Sequence, residues 1–113
     1  MSLEKKIEFV RLAYFGTVDF LENGSQSLEL IDKAIGEFTL NRHLDGSVSV
    51  WFLRSDGGCT GRYEIGSDVR ETARKWLSAV ISTIGYPESA KFREMVEVEL
   101  NSNPDDFCLT MSN

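Results

Sequence analysis

Hydrolytic chemistry needs a base within reach of a nucleophile, and this sequence offers a single imidazole, His43. It sits at the end of an alternating run beside a turn, where a solvated turn residue is the expected role. Cys59 and Cys108 show no CxxC spacing, and neither forms a Cys/His motif with His43. With one His, a His-based metal centre is not expected. Paired carboxylates can divide acid and base roles when their environments separate their pKa values. Glu97 with Glu99 and Asp105 with Asp106 are the candidate pairs, and all four are expected to face solvent. The run Gly57-Gly58-Cys59-Thr60-Gly61 is glycine-rich. It lacks the Lys-Ser/Thr ending of a phosphate loop and leads from strand to strand, not from strand to helix. No catalytic set, metal site or cofactor site emerges, so the expectation is a protein that is not an enzyme.

What remains is surface chemistry, and charge organises it. The chain has 113 residues and a net charge of −6, with a pI near 4.7. That balance argues against nucleic acid as a partner, because a phosphate-backbone binder needs a basic surface. The charge is uneven: residues 67–86 are slightly positive, while residues 87–113 hold two basic and six acidic side chains. No apolar run is long enough to span a membrane, and no signal-peptide core follows Met1, so the cytoplasm is the expected compartment. Length and composition fit one domain over residues 1–113.

Which elements would position these residues? The clearest is a helix over 68–84. Asp68 can cap it with Glu71 three places on, and Val69, Ala73, Trp76, Leu77, Val80, Ile81 and Ile84 keep one helical face. Gly85 and Pro87 are stop signals. An N-terminal helix from about residue 3 is expected from Leu3, Ile7, Val10, Tyr14, Val18 and Leu21, with Asn23-Gly24 as its end. Residues 27–35 fit either a short helix or a strand. Over 37–66 a three-stranded meander is expected, turned at Asp45-Gly46 and Asp56-Gly57. A three-residue loop at Leu44-Asp45-Gly46 sets Leu40 opposite Val50 and Phe38 opposite Phe52. A two-residue loop at Asp56-Gly57 sets Val50 opposite Tyr63 and Val48 opposite Ile65. The apolar face is then Phe38, Leu40, Val48, Val50, Phe52, Tyr63 and Ile65, covered by the 68–84 helix. After Pro87 the alternation of Val96, Val98 and Leu100 with Glu97 and Glu99 predicts a strand over 94–101, following a helical turn near 88–93. The turn Asn103-Pro104-Asp105-Asp106 and a last strand carrying Phe107, Leu109 and Met111 complete a C-terminal β-hairpin. The expected fold is α+β: an N-terminal helix, a three-stranded antiparallel meander, an amphipathic helix and a C-terminal β-hairpin in one sheet, α-βββ-α-ββ.

Two surfaces stand out in that frame. The second face of the meander carries Trp51, Leu53, Thr39, Asn41, Arg62 and Glu64, with Trp51 opposite Arg62 at cation–π distance. It is either a contact surface or a second core layer under the N-terminal helix. The C-terminal hairpin would gather Glu94, Glu97, Glu99, Asp105 and Asp106 into an acidic patch able to steer a basic partner. Together these residues suggest a small acidic protein-binding module, most concretely an immunity- or antitoxin-type inhibitor of a basic toxin, with Trp51 or Tyr63 as anchor. A second expectation comes from element order. The series α-βββ-α-ββ and the acidic pI resemble type III secretion chaperones, without that family's final helix, and this implies a homodimer acting on an extended client. A third is a small-ligand sensor with a pocket lined by Cys59, Tyr63, Trp76 and Phe52.

Overall fold

The computed structural model describes residues 3–54 and 57–102. The elements are α1 (Leu3–Asn23), β1 (Ser27–Asp32), β2 (Gly36–Arg42), β3 (Val48–Arg54), β4 (Gly57–Tyr63), α2 (Val69–Gly85) and α3 (Ser89–Ser102). The four strands form one antiparallel meander in the order β1-β2-β3-β4. The class is α+β, as the residue patterns require, but the order is α-ββββ-α-α.

α1 runs as expected and stops where a residue with positive φ can close it. Gly24 takes φ +64°, and the Ser25 amide donates to Phe20 O at 3.1 Å, the closing bond of a Schellman cap. α2 also starts as its sequence implies: Asp68 Oδ1 accepts the Glu71 amide at 3.1 Å. Of residues 27–35, Ser27–Asp32 form a strand and 33–35 the turn that follows it. Leu28 and Leu30 turn inward and Glu29 and Ile31 outward, the period-two pattern of a half-buried strand.

The even-numbered residues of β1–β3 line the covered face. Phe38, Leu40, Val48, Val50 and Phe52 are buried there, each worth about 1.5–3 kcal/mol of apolar transfer. Both long helices lie on this same face. Phe9 of α1 meets Phe52 edge-on at 5.8 Å between ring centroids, and Trp76 of α2 lies 6.3 Å from Tyr63. The pairs Leu40↔Val50 and Phe38↔Phe52 form as expected, around a Leu44-Asp45-Gly46 loop closed by His43 N–H to Ser47 O at 2.8 Å.

Two expectations fail. The β3–β4 register sits two residues from the expected one: Val48 faces Tyr63, Val50 faces Gly61 and Trp51 faces Thr60. A shift of two keeps every side chain on its face, so hydrophobic alternation cannot distinguish the registers. Ile65 consequently lies beyond β4 and is exposed. The second failure is the C-terminal β-hairpin. Residues 94–101, expected as its first strand, belong to helix α3. Phe92 and Val96, four apart, are buried, while Val98 is 60% exposed. Phe92 packs closely on Gly85, so Gly85 ends α2 as a contact point for α3, not as a positive-φ cap. Arg93 ties the two helices by donating to Ser78 O and Ser82 Oγ. The expected turn at 103–106 and the strand of Phe107, Leu109 and Met111 lie outside the described residues. With a fourth strand before the meander and α3 in place of the hairpin, the element order no longer matches that of the secretion chaperones.

Candidate functional site

The sheet has two faces, and the described helices cover only one. α1 packs with α2 on the inner face, so the alternative in which α1 buries the Trp51 side does not hold. The outer face carries the odd-numbered residues of β1–β3 and the even-numbered ones of β4. Register sets its rows: Ile31, Glu37 and Leu53; then Glu29, Thr39, Trp51 and Thr60; then Ser27, Asn41, Ser49 and Arg62. Trp51 is 37% exposed, Leu53 45% and Ile31 58%. Ile31, Glu37 and Leu53 also line a shallow groove of about 350 Å³ at the β1–β2 turn. Glu29 and Glu37 flank the apolar patch and make no ion pair with any described residue. The patch is therefore apolar at its centre, with Glu29 and Glu37 on its rim and Lys33 and Arg54 at the groove by the β1–β2 turn.

Arg62 is not the stacking partner of Trp51. The actual register puts it beside Ser49, and its Nη2 donates to Asp45 Oδ2 at 3.1 Å and Ser47 Oγ at 2.8 Å. Asp45 also accepts from the Ser47 hydroxyl at 2.6 Å and the Ser47 amide at 3.0 Å. These Ser47 hydrogen bonds, with the Arg62 charge behind them, hold the Asp45 carboxyl below the usual carboxylate range. His43 Nε2 lies 2.5 Å from Ser49 Oγ, a contact the sequence did not reveal. Ser and His at that distance invite comparison with a nucleophile and base. Among the described residues no carboxylate bonds the imidazole to orient it, since Asp45 gives its oxygens to Ser47 and Arg62. The cluster pins the β2–β3 hairpin against β4.

The acidic residues expected to act with Trp51 do not join it. Glu94, Glu97 and Glu99 are exposed on α3, which packs on α2 and so lies on the helical side of the sheet. In a strand, Glu97 and Glu99 would share a side. In a helix they diverge by about 200°, and Glu99 turns to α1, where it accepts from Arg11 Nη2 at 2.6 Å. Asp105 and Asp106 are outside the described residues. Tyr63 is no surface anchor either, since it is on the inner face against Trp76.

The residues of the expected sensor pocket are packed core: Phe52 and Trp76 are buried, and Cys59 and Tyr63 pack against the same cluster. Burial pushes the Cys59 thiol above its ordinary pKa, which favours the thiol over the reactive thiolate. Among the described residues no cluster of His, Cys, Asp and Glu is placed to hold a metal ion, and no described helix is long and apolar enough to cross a membrane. Glu29 and Ile31 are site residues that sequence reasoning missed because residues 27–35 fit a helix or a strand equally; Glu37, in β2, joins them only through its pairing with Ile31. The alternation of Leu28 and Leu30 with Glu29 and Ile31 was the signal that could have found them.

No protein-family model matches this chain, and comparison with curated proteins and with solved structures returns no match.

Proposed function

We propose that this chain is a protein-binding module that docks a partner on the open face of its sheet, most concretely as an immunity- or antitoxin-type inhibitor of a basic toxin. The observation that carries the reading is Trp51 held with Leu53 and Ile31 on a face that no described element covers. Tryptophan is the residue type most enriched among interface hot spots, because one side chain supplies a large rigid apolar area and a donor. The unpaired Glu29 and Glu37 set the partner's chemistry: an apolar centre with Lys or Arg at its edge. The net charge of −6 adds long-range attraction for such a surface. Glu94 and Glu97 on the helical side contribute to that field without touching the bound partner. A reducing, cytoplasmic setting suits the free, half-buried Cys59.

Affinity capture on the immobilised chain, with bound proteins identified by mass, tests this reading. The wild type should retain a protein of high pI that is lost from the Trp51→Ala variant and from Glu29→Lys/Glu37→Lys. Its association rate should fall as salt rises. A partner still held by Trp51→Ala, or one whose association rate ignores salt, refutes the proposal.

A further inference from the structure

β4 ends the sheet, and its outer edge is free of any described strand. The direction of its backbone groups follows from the ladder. Arg42 N–H donates to Gln26 O and His43 N–H to Ser47 O. Even-numbered β2 residues therefore bond towards β1 and odd-numbered ones towards β3. Alternation then turns the even-numbered β3 residues towards β4, where their partners are Tyr63, Gly61, Cys59 and Gly57. The peptide groups of Gly58, Thr60 and Arg62 are left pointing outward. Thr60 and Arg62 are themselves exposed.

Such an edge is usually blunted by Pro, by inward charge or by a bulge. This one has none of these: seven residues, Gly57-Gly58-Cys59-Thr60-Gly61-Arg62-Tyr63, pair with β3 in unbroken register. The sequence is also complementary to its own reverse. In an antiparallel pair centred on Thr60, Gly57 meets Tyr63, Gly58 meets Arg62, Cys59 meets Gly61 and Thr60 meets Thr60. Every bulky side chain is opposite a glycine, no like charges face each other, and all three outward residues of each copy find partners. A centre one residue to either side leaves one of them unpaired within the strand.

We infer that β4 pairs with β4 of a second copy of this chain, joining two four-stranded sheets into one of eight strands. The inference goes beyond partner docking and does not depend on it. It does affect the docking surface. The two open faces become continuous, with the two Trp51 side chains three strand spacings apart, about 14 Å, on either side of the Thr60 pair.

The test is the mass of the full chain in solution, by light scattering and sedimentation velocity over a concentration series. The wild type should be a dimer. Thr60→Pro removes an N–H that β3 does not use, so the monomer's ladder is intact and the dimer dissociation constant should rise at least tenfold. Should the proline variant fail to fold, Thr60→Asp reads the same contact by setting two carboxylates opposite each other at an exposed position. Register is tested by oxidation in a Cys59→Ser/Cys108→Ser background. Thr60→Cys should cross-link, because its α-carbons sit about 5.5 Å apart across the two-fold. Arg62→Cys should not, because its copies are about 13 Å apart along the strands. A wild type that stays monomeric at hundreds of micromolar overturns the inference. So does a folded Thr60→Pro or Thr60→Asp variant that remains dimeric.

Discussion

Replacing Arg42 should loosen the C-terminal end of the N-terminal helix, although Arg42 is not part of it. The last turn of α1 contains no basic side chain, and Arg42, from the end of β2, takes that place. Its Nε donates to Ser25 O at 2.9 Å and its Nη2 to Phe20 O at 3.3 Å, while the guanidinium lies 4.8 Å over the Phe20 ring. A cation at a helix C-terminus contributes about 0.3–1 kcal/mol when exposed and up to about 2 in partly buried geometry. Stacking on an aromatic ring adds about 0.5–1 kcal/mol. Phe20 O keeps its bond from the Ser25 amide, and Ser25 O, which loses the Arg42 Nε donor, belongs to a half-buried residue that water can reach, so no large desolvation penalty is added. Arg42→Met retains the aliphatic stem and should therefore cost about 2 kcal/mol, or roughly 8 °C in Tm for a domain of this size. Arg42→Lys retains the charge but loses the planar fork and should cost about half as much. Urea unfolding should show a lower midpoint with an unchanged slope, and hydrogen exchange should accelerate over residues 20–25. An Arg42→Met variant within about 0.5 kcal/mol of the wild type would refute the capping argument, since surface substitutions with no special role fall in that range.

Two further predictions test the sheet and the third helix. Gly36 has φ +148°, and a Cβ there would lie 2.4 Å from Leu53 O. Gly36→Ala should thus cost at least about 2 kcal/mol in chemical denaturation; a neutral result would mean that β2 does not enter the sheet in this way. Val96→Ala should cost about 2 kcal/mol, and Val98→Ala should be neutral or slightly stabilising because alanine is the better helix former. Equal losses at the two positions would restore the strand reading of residues 94–101.

How much of this was legible beforehand depends on what each pattern constrains. α1 and α2 were readable because apolar spacing, the Asp68 cap and the Asn23-Gly24 stop all agreed. The inner face of β2 and β3 was readable for the same kind of reason. The alternation of Val96 and Val98 with Glu97 and Glu99 misleads because alternate residues also occur on a helix when one is buried and the next left in solvent, as Val96 and Val98 are. The β3–β4 register misled because shifts of two residues preserve alternation. That error paired Trp51 with Arg62, which in fact serves Asp45 and Ser47.

The candidate site divides along the same line. Trp51 and Leu53 were placed on one face by strand periodicity alone, which is a local property. Whether that face was buried depended on where α1 packs, and nothing in the α1 residues encodes the choice of sheet face. Similarly, the acidity of residues 87–113 belongs to the composition. Its division between a solvent-facing pair, Glu94 and Glu97, and a Glu99 bonded to Arg11 arises only from helical geometry and the packing of α3. The amino-acid sequence by itself determined which residues could be inside, the charge of the surface and the α+β class, because these follow from side-chain chemistry and short-range period. Tertiary structure decided the register, the second life of 94–101 as a helix and the open face around Trp51. Those outcomes depend on contacts between residues far apart in the chain, such as Phe92 on Gly85 and Phe9 on Phe52, whose energies no local pattern contains.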